Sequence, residues 1–427
     1  MRSMNFIRSC CIATLLLMAE SYAYAETVIG NIRFEGNERT RESILRREMY
    51  ITEGDKLDYA KIEDSIQGIR DLDLFKSVTY YITEDYSQST AQGNLAELVI
   101  TVEEKIYTLI IPRIKVQDNQ LRVGMHLRLD NLFGLDHSLR YLIERKGDFE
   151  GVTEMRQRMN YNYPNINGSK YSMNLSLVDE NAVTEETENS FQNSLNQSFS
   201  VSLHKWLNPG HRKTGRYISA GIGHTSRTHE TLDGVFIDEA LANSISLEYG
   251  YREVHEYDYN RGGRHYGYMG ELSHESFGSD SEFFKHLLFY RAYYRFDSRP
   301  DDNLNVQTLI GYSDNDILGD EAFTLDFSND LRGYERNRFS GNSMVLVNLE
   351  YITPSSFYPT LRYVGFMDIG NTYDSEKTFQ PDGVNVGFGV GIRWKIPAFV
   401  KVDLRLDLGY GVTDENYQVT VGSHYAF

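Results

Sequence analysis

From Ile106 to Phe427 the chain repeats one unit: about ten residues of alternating apolar and polar side chains, then a turn signal. The last stretches show it most plainly. Val402, Leu404, Leu406, Leu408 and Tyr410 alternate with Lys401, Asp403, Arg405, Asp407 and Gly409. Tyr417, Val419, Val421, Tyr425 and Phe427 alternate with Gln418, Thr420, Gly422, His424 and Ala426. Successive side chains of a strand point to opposite faces, so each stretch carries one apolar and one polar face. Candidate strands fall near 106–116, 121–130, 136–146, 153–162, 170–180, 194–206, 214–225, 241–253, 262–273, 285–296, 303–313, 343–353, 360–370, 384–395, 400–410 and 417–427. The count is sixteen, even as a bacterial barrel prefers, and a tilted strand of about ten residues spans the roughly 25 Å apolar band of an outer membrane. A soluble sandwich alternates too, but it rarely adds strands over such a length without a second core pattern. The pattern therefore predicts an all-β membrane protein, a 16-stranded antiparallel outer-membrane barrel over 105–427.

Composition removes the competitors. A mean hydropathy of -0.46 excludes a multi-span helical membrane protein, whereas 31 Tyr and 22 Phe suit a barrel with aromatic girdles. The formal charge of -18 argues against a nucleic-acid partner. Arg2 and Arg8 precede an apolar run from Cys10 to Ala19 and small residues at Ala23 and Ala25, which reads as a signal peptide over 1–25. Cys10 and Cys11 both lie inside it, so the exported chain is expected to hold no thiol, disulfide or Cys-based metal site.

Residues 26–104 form a separate α+β pattern. Val28, Gly30, Ile32 and Phe34 mark a strand; Thr40 is the expected N-cap of a helix to Met49; Asp58 caps a second helix with Tyr59, Ile62, Ile66 and Ile69 on one face. Two further strands follow, around Val78–Ile82 and Leu98–Val102. That order, with Phe34-Glu35-Gly36-Asn37, the segment Leu72 to Val78 and the Val102-Glu103-Glu104 ending, resembles a polypeptide-transport-associated (POTRA) domain.

Chemistry gathers around the longest connection, 314–342. It holds Leu331-Arg332-Gly333-Tyr334, where Gly333 permits a tight turn that presents Arg332. Alternation in the next strands points Glu350 into the lumen, then Phe366, Asp368 and Gly370. Gly387, Gly389 and Gly391 share the inward face of the strand after that and clear space for an infolded loop; in mid-strand with no helix behind them, they are not a phosphate loop.

These residues together resemble a family of outer-membrane assembly and secretion barrels that includes BamA, TamA and the two-partner secretion transporters. Leu331 to Tyr334 resemble the family's loop-six (Val/Ile)-Arg-Gly-(Phe/Tyr) motif, with Leu in first place, and Phe366, Asp368 and Gly370 resemble its Phe-x-Asp-x-Gly strand motif. Glu350 with Thr353-Pro354 and the turn Asn131-Leu132-Phe133-Gly134 are also similar to family sequences, and Phe427 looks like the C-terminal barrel signal. The resemblance implies that Arg332 docks on Glu350 and Asp368 inside the lumen. It further implies no enzymatic activity and no cofactor or metal, a protein embedded in the outer-membrane lipid bilayer with its POTRA domain in the periplasm, client outer-membrane or secreted polypeptides as partners, and accessory lipoproteins. The expected role is outer-membrane protein insertion or polypeptide translocation. An edge of the small module, near 78–83 or 27–34, is expected to pair with an extended client, and the first and last strands to form a weak seam, loosened at Pro112 and Gly422. The rival reading is a passive channel narrowed by its internal loop. One POTRA-like module against five in BamA, three in TamA and two in the two-partner transporters leaves the substrate class open.

Overall fold

The computed structural model describes residues 27–423 apart from 91–92, 118–119, 149–152, 188–189, 209–213, 232, 326–330, 336–337, 359, 375–382 and 401. Residues 1–25, expected to be a signal peptide, and Phe427, the expected barrel signal, lie outside the described residues.

The N-terminal module folds as β1 (Val28–Glu35), α1 (Glu42–Arg47), α2 (Tyr59–Asp71), β2 (Phe75–Thr90) and β3 (Gly93–Glu104). Helix α2 starts where the sequence demands: the Asp58 side chain accepts from Ala60 N at 3.0 Å and Lys61 N at 3.3 Å. Its Ile62, Ile66 and Ile69, recurring every three or four residues, are fully buried. Helix α1 departs from expectation. Its N-cap is Arg41, without a side-chain cap, because the Thr40 hydroxyl is turned inward to Tyr107 Oη at 3.0 Å and Asn131 Nδ2 at 2.8 Å. A tertiary partner has outbid the local one. The three strands form a sheet in the order β1-β3-β2, β1 parallel and β2 antiparallel to β3. Ile29, Leu45, Leu98 and Ile100 join the α2 isoleucines in a core that also takes in Tyr107 and Val400 from beyond the module. Each such side chain contributes about 1.5–3 kcal/mol by leaving water.

The remainder is one 16-stranded antiparallel sheet. Its strands are β4 (Thr108–Gln117), β5 (Gln120–Leu132), β6 (His137–Asp148), β7 (Thr153–Tyr163), β8 (Tyr171–Thr187), β9 (Ser190–Trp206), β10 (Gly215–Thr231) and β11 (Phe236–Glu256). There follow β12 (Arg261–Ser273), β13 (Phe283–Phe296), β14 (Arg299–Ser313), β17 (Ser343–Pro354), β18 (Leu361–Tyr373), β19 (Asn385–Lys395), β20 (Asp403–Gly411) and β21 (Asn416–Ser423). A small hairpin of β15 (Phe323–Leu325) and β16 (Phe339–Gly341) stands in the long connection between β14 and β17. Each candidate stretch of the sequence corresponds to one strand of the large sheet. Strands β8 to β11 run on past the alternating segments, because the main-chain ladder continues where apolar alternation stops.

The alternation separates an outer apolar face from an inner polar one. On β20, Leu404, Leu406 and Leu408 are 41–46% exposed while Asp403, Arg405 and Asp407 are at most 6% exposed. The sheet curls until the start of β4 meets the turn between β19 and β20 at one rim, where Ile106 N donates to Ala398 O at 2.8 Å and Arg128 of β5 reaches Val400 O at 3.1 Å. Among the described residues no ladder joins β4 to β21, the two ends of the strand order. Pro112, which cannot donate, is tolerated because β4 is an edge. Among the described residues, no helix is long and apolar enough to cross a membrane.

Candidate functional site

Four adjacent strands, β17 to β20, build one wall of the lumen, and the connection between β14 and β17 folds back onto it. Their register fixes what faces inward: Asp368 on β18 lies beside Asn348 of β17 and Gly387 of β19, and Asp407 on β20 lies beside Gly391. Two-residue periodicity then puts Glu350, Phe366, Arg393 and Arg405 on the same side.

Arg332 is 1% exposed. Its Nε and Nη2 donate to the two oxygens of Asp368, each at 2.6 Å, its backbone N–H adds a third bond to Oδ2 at 3.1 Å, and Nη1 donates to Glu350 Oε1 at 2.5 Å. The guanidinium carbon lies 3.7 Å from the centroid of the Phe366 ring. A planar fork that satisfies two oxygens of one carboxylate while leaning on a ring is a geometry that lysine cannot copy. The expected partners Glu350 and Asp368 are thus brought together with Arg332, and Phe366 serves as the floor beneath it.

The loop backbone rests on a shelf of glycines. A Cβ at Gly387 would overlap the Arg332 carbonyl, one at Gly409 would sit 2.8 Å from Gly333 N, and one at Gly411 2.5 Å from Gly333 O. Gly333 itself has φ +100°, a region that side chains avoid, and faces Tyr410 and Gly411. Gly389 makes room for the Phe366 ring and Gly391 for the Asp407 carboxylate; Gly370 clears Leu346 and the hairpin's Leu325. On either side of the arginine, Leu331 and Tyr334 are buried with Phe323, Leu325, Met344 and Leu346, and the Tyr334 hydroxyl donates to Val386 O at 2.8 Å.

Sequence reasoning missed a second tier. Arg393 donates to Glu350 Oε1 at 2.7 Å and forms a two-pronged pair with Asp407; Arg405 Nε lies 3.2 Å from Asp407 Oδ2, and Arg332 Nη1 3.5 Å from it. Asn348 donates to Asp368 at 2.8 Å and is in turn held by Gln307 at 3.0 Å. The alternation of β20 exposed Arg405, Asp407 and Gly409 as inward residues; only the strand register says what they meet. Among the described residues, no group of three or more His, Cys, Asp or Glu side chains is placed to hold a metal.

A family model described as the Omp85 superfamily domain matches residues 131–425, and a POTRA model described as surface antigen variable number repeat matches 27–105. The chain belongs to the Omp85 superfamily. The outer membrane protein assembly factor BamA of Nitratidesulfovibrio vulgaris is 24% identical over 412 residues, which are 90% of this chain and 48% of the relative, so this chain spans about half of that protein's length. Solved structures share the fold. BamA from Haemophilus ducreyi lacking POTRA domains 1-3 aligns with TM-score 0.53 at 15% identity, over 92% of this chain and 83% of that one. CdiB from Acinetobacter baumannii gives 0.60 at 13% (92% and 73%), and CdiB from Escherichia coli 0.64 at 15% (93% and 75%). This Omp85 protein is thus an outer-membrane β-barrel with a periplasmic POTRA domain, of a family of outer-membrane assembly and translocation proteins.

In this Omp85 protein the POTRA domain sits across the periplasmic mouth. The turn between β5 and β6 grips it: Arg41 N donates to Gly134 O at 3.0 Å, Arg47 pairs with Asp136 at 3.0 Å, and a Cβ at Gly134 would overlap the Arg39 carbonyl. Burial holds the Tyr107 phenol well above its usual pKa, so it stays protonated against Thr40. Across the mouth, Asp71 accepts from Glu256 N at 2.9 Å and meets His255 Nδ1 at 2.8 Å. Of the two sheet edges, β1 is largely occupied: Asp55 O and Leu57 N bond Ile29 and Thr27, and Arg46 takes Ile32 O. On the β2 edge the Arg70 side chain takes Val78 O at 3.0 Å, and among the described residues nothing pairs the main chain beyond it.

Proposed function

We propose that this chain is an assembly or translocation factor that takes an extended client polypeptide along the outer edge of β2, from Tyr80 onward, and passes it to the seam between β4 and β21. The observation that carries this reading is the presence in one molecule of two edges that are unladdered among the described residues, the outer edge of β2 and the β4 and β21 ends of the large sheet. Unpaired N–H and C=O groups inside a bilayer cost several kcal/mol each, so an incoming strand that pairs with the seam is stabilised by the same bonds that close it. In the periplasm, Val78 directs its carbonyl away from β3, and by strand alternation so do Tyr80 and Ile82, which leaves their main-chain groups to an added strand. Recognition of this kind reads the backbone, so it tolerates many client sequences. The docked loop contributes by holding the wall β17 to β20 rigid beside the seam.

The test is the outer-membrane proteome with and without the protein, scored for loss of specific barrel or secreted polypeptides. A passive channel would leave client levels unchanged and conduct equally well without residues 26–104. Restoration of the missing clients by full-length protein, and not by a chain lacking the POTRA domain, is the expected result.

A further inference from the structure

The six-residue cluster around Arg332 has a charge balance that the arginine and its two expected carboxylates do not. Glu350, Asp368 and Asp407 supply three negative charges; Arg393 and Arg405, both on the wall, supply two positive ones; all five are at most 3% exposed, ion pairs join Glu350 and Asp407 to the two arginines, and the ion pair of Asp368 is with Arg332 of the loop. Without Arg332, these five residues together carry one net negative charge. Three buried carboxylates with no cation of their own could not stay ionised together, and a fully neutral wall would offer a guanidinium nothing.

We propose that the inner wall of β17 to β20 is a preformed binding site for a single guanidinium, with Arg393 and Asp407 as the positioning residues that set its charge and shape. Arg393 holds Glu350 Oε1 from one side while Arg332 Nη1 takes the same oxygen from the other, so the carboxylate is aimed before docking. Asp407 is held by Arg393 and Arg405 and turned to within 3.5 Å of Arg332. Gly391 is required by the same device, since a Cβ there would overlap the Asp407 carboxylate. Loop six is the resident occupant, and any free guanidinium group of suitable access is a competent ligand for the vacated site.

The inference rests on the docked loop having the role given above, and its test separates the two. In full-length protein in detergent, Arg332→Ala should lower the melting temperature, and low-millimolar guanidinium chloride should raise it again where equimolar sodium chloride does not. Arg332→Ala combined with Asp407→Asn leaves the cluster of Glu350, Asp368, Arg393 and Arg405 neutral in sum and should need roughly tenfold more guanidinium for the same recovery, the loss of one charge-assisted contact. In the intact loop background, Asp407→Asn and Arg393→Gln should each increase protease access to loop six, and the double variant, which restores a single net negative charge, should regain more than half of the protection. Equal guanidinium responses with and without Asp407, or losses that simply add in the double variant, overturn the proposal. If Arg393→Gln fails to assemble, Arg393→Lys keeps the charge and should retain the guanidinium response of Arg332→Ala; its loss there counts against the site. Client assembly in cells is scored separately: normal assembly alongside the expected guanidinium behaviour would refute the functional reading and leave the site standing.

Discussion

At the scale of single residues the lumen cluster is dominated by removal of water. Arg332 makes four hydrogen bonds to two carboxylates with 1% of its surface exposed, so Arg332→Ala strands buried carboxylates and should cost about 3–5 kcal/mol, the range for breaking a buried pair. Arg338, in the same loop, bonds Asp414 at 2.9 Å with its side chain 49% exposed, and its replacement by Ala should leave the melting temperature near that of the parent. Thermal unfolding of the two variants side by side tests the difference; equal losses would mean that the buried pair is not what holds the loop. Gly387→Ala makes the complementary point, because it keeps all charges and only inserts a methyl where the Arg332 carbonyl lies. It should release loop six to protease nearly as well as Arg332→Ala does. Arg332, Glu350 and Asp368 were legible because a short motif and two-residue alternation suffice to aim them. Arg393 and Asp407 were not, although they stand in equally regular strands, because their meaning depends on which residue of the next strand lies opposite.

At the scale of elements, main-chain hydrogen bonding decides more than side-chain pattern does. Sixteen strands were countable from alternation, yet β8 to β11 run on beyond the alternating segments through their main-chain ladders. The same logic settles which POTRA edge is available. Sequence reading offered 27–34 and 78–83 equally, but tertiary bonds from 54–57 and Arg46 occupy the first. A photo-crosslinking side chain at Tyr81, 49% exposed beside the open edge of β2, should therefore capture unfolded client, while one at Arg33 on β1, with a side chain 47% exposed, should not. Capture at Arg33 alone would move the docking edge to β1. Arg70→Ala uncovers Val78 O and should extend the captured strand's register toward Lys76.

At the scale of the whole molecule, the start of β4 bonds the turn between β19 and β20 at the periplasmic rim, and among the described residues no ladder joins β4 to β21. Chain direction sets these strands antiparallel, with β4 rising from the POTRA side and β21 returning to it, so a closed barrel places Lys115 opposite the stretch around Val419. An even strand count suits closure, and Pro112 and Gly422 gave the expectation of a weak seam; among the described residues no ladder joins β4 to β21. If the seam is the exit for client strands, fixing it must stop assembly without harming the barrel. Lys115→Cys with Val419→Cys should form a disulfide on mild oxidation, because antiparallel neighbours bring Cβ atoms within the roughly 3.5–4.5 Å that the bond requires. The oxidised protein should keep or raise its melting temperature, since a cross-link between the chain's distant ends restricts the unfolded state. Client assembly should fall together with the extent of cross-linking and return on reduction. Full assembly with the seam locked would show that clients leave by another route, and failure to cross-link at every neighbouring pair of positions would show that the two ends do not meet along their length.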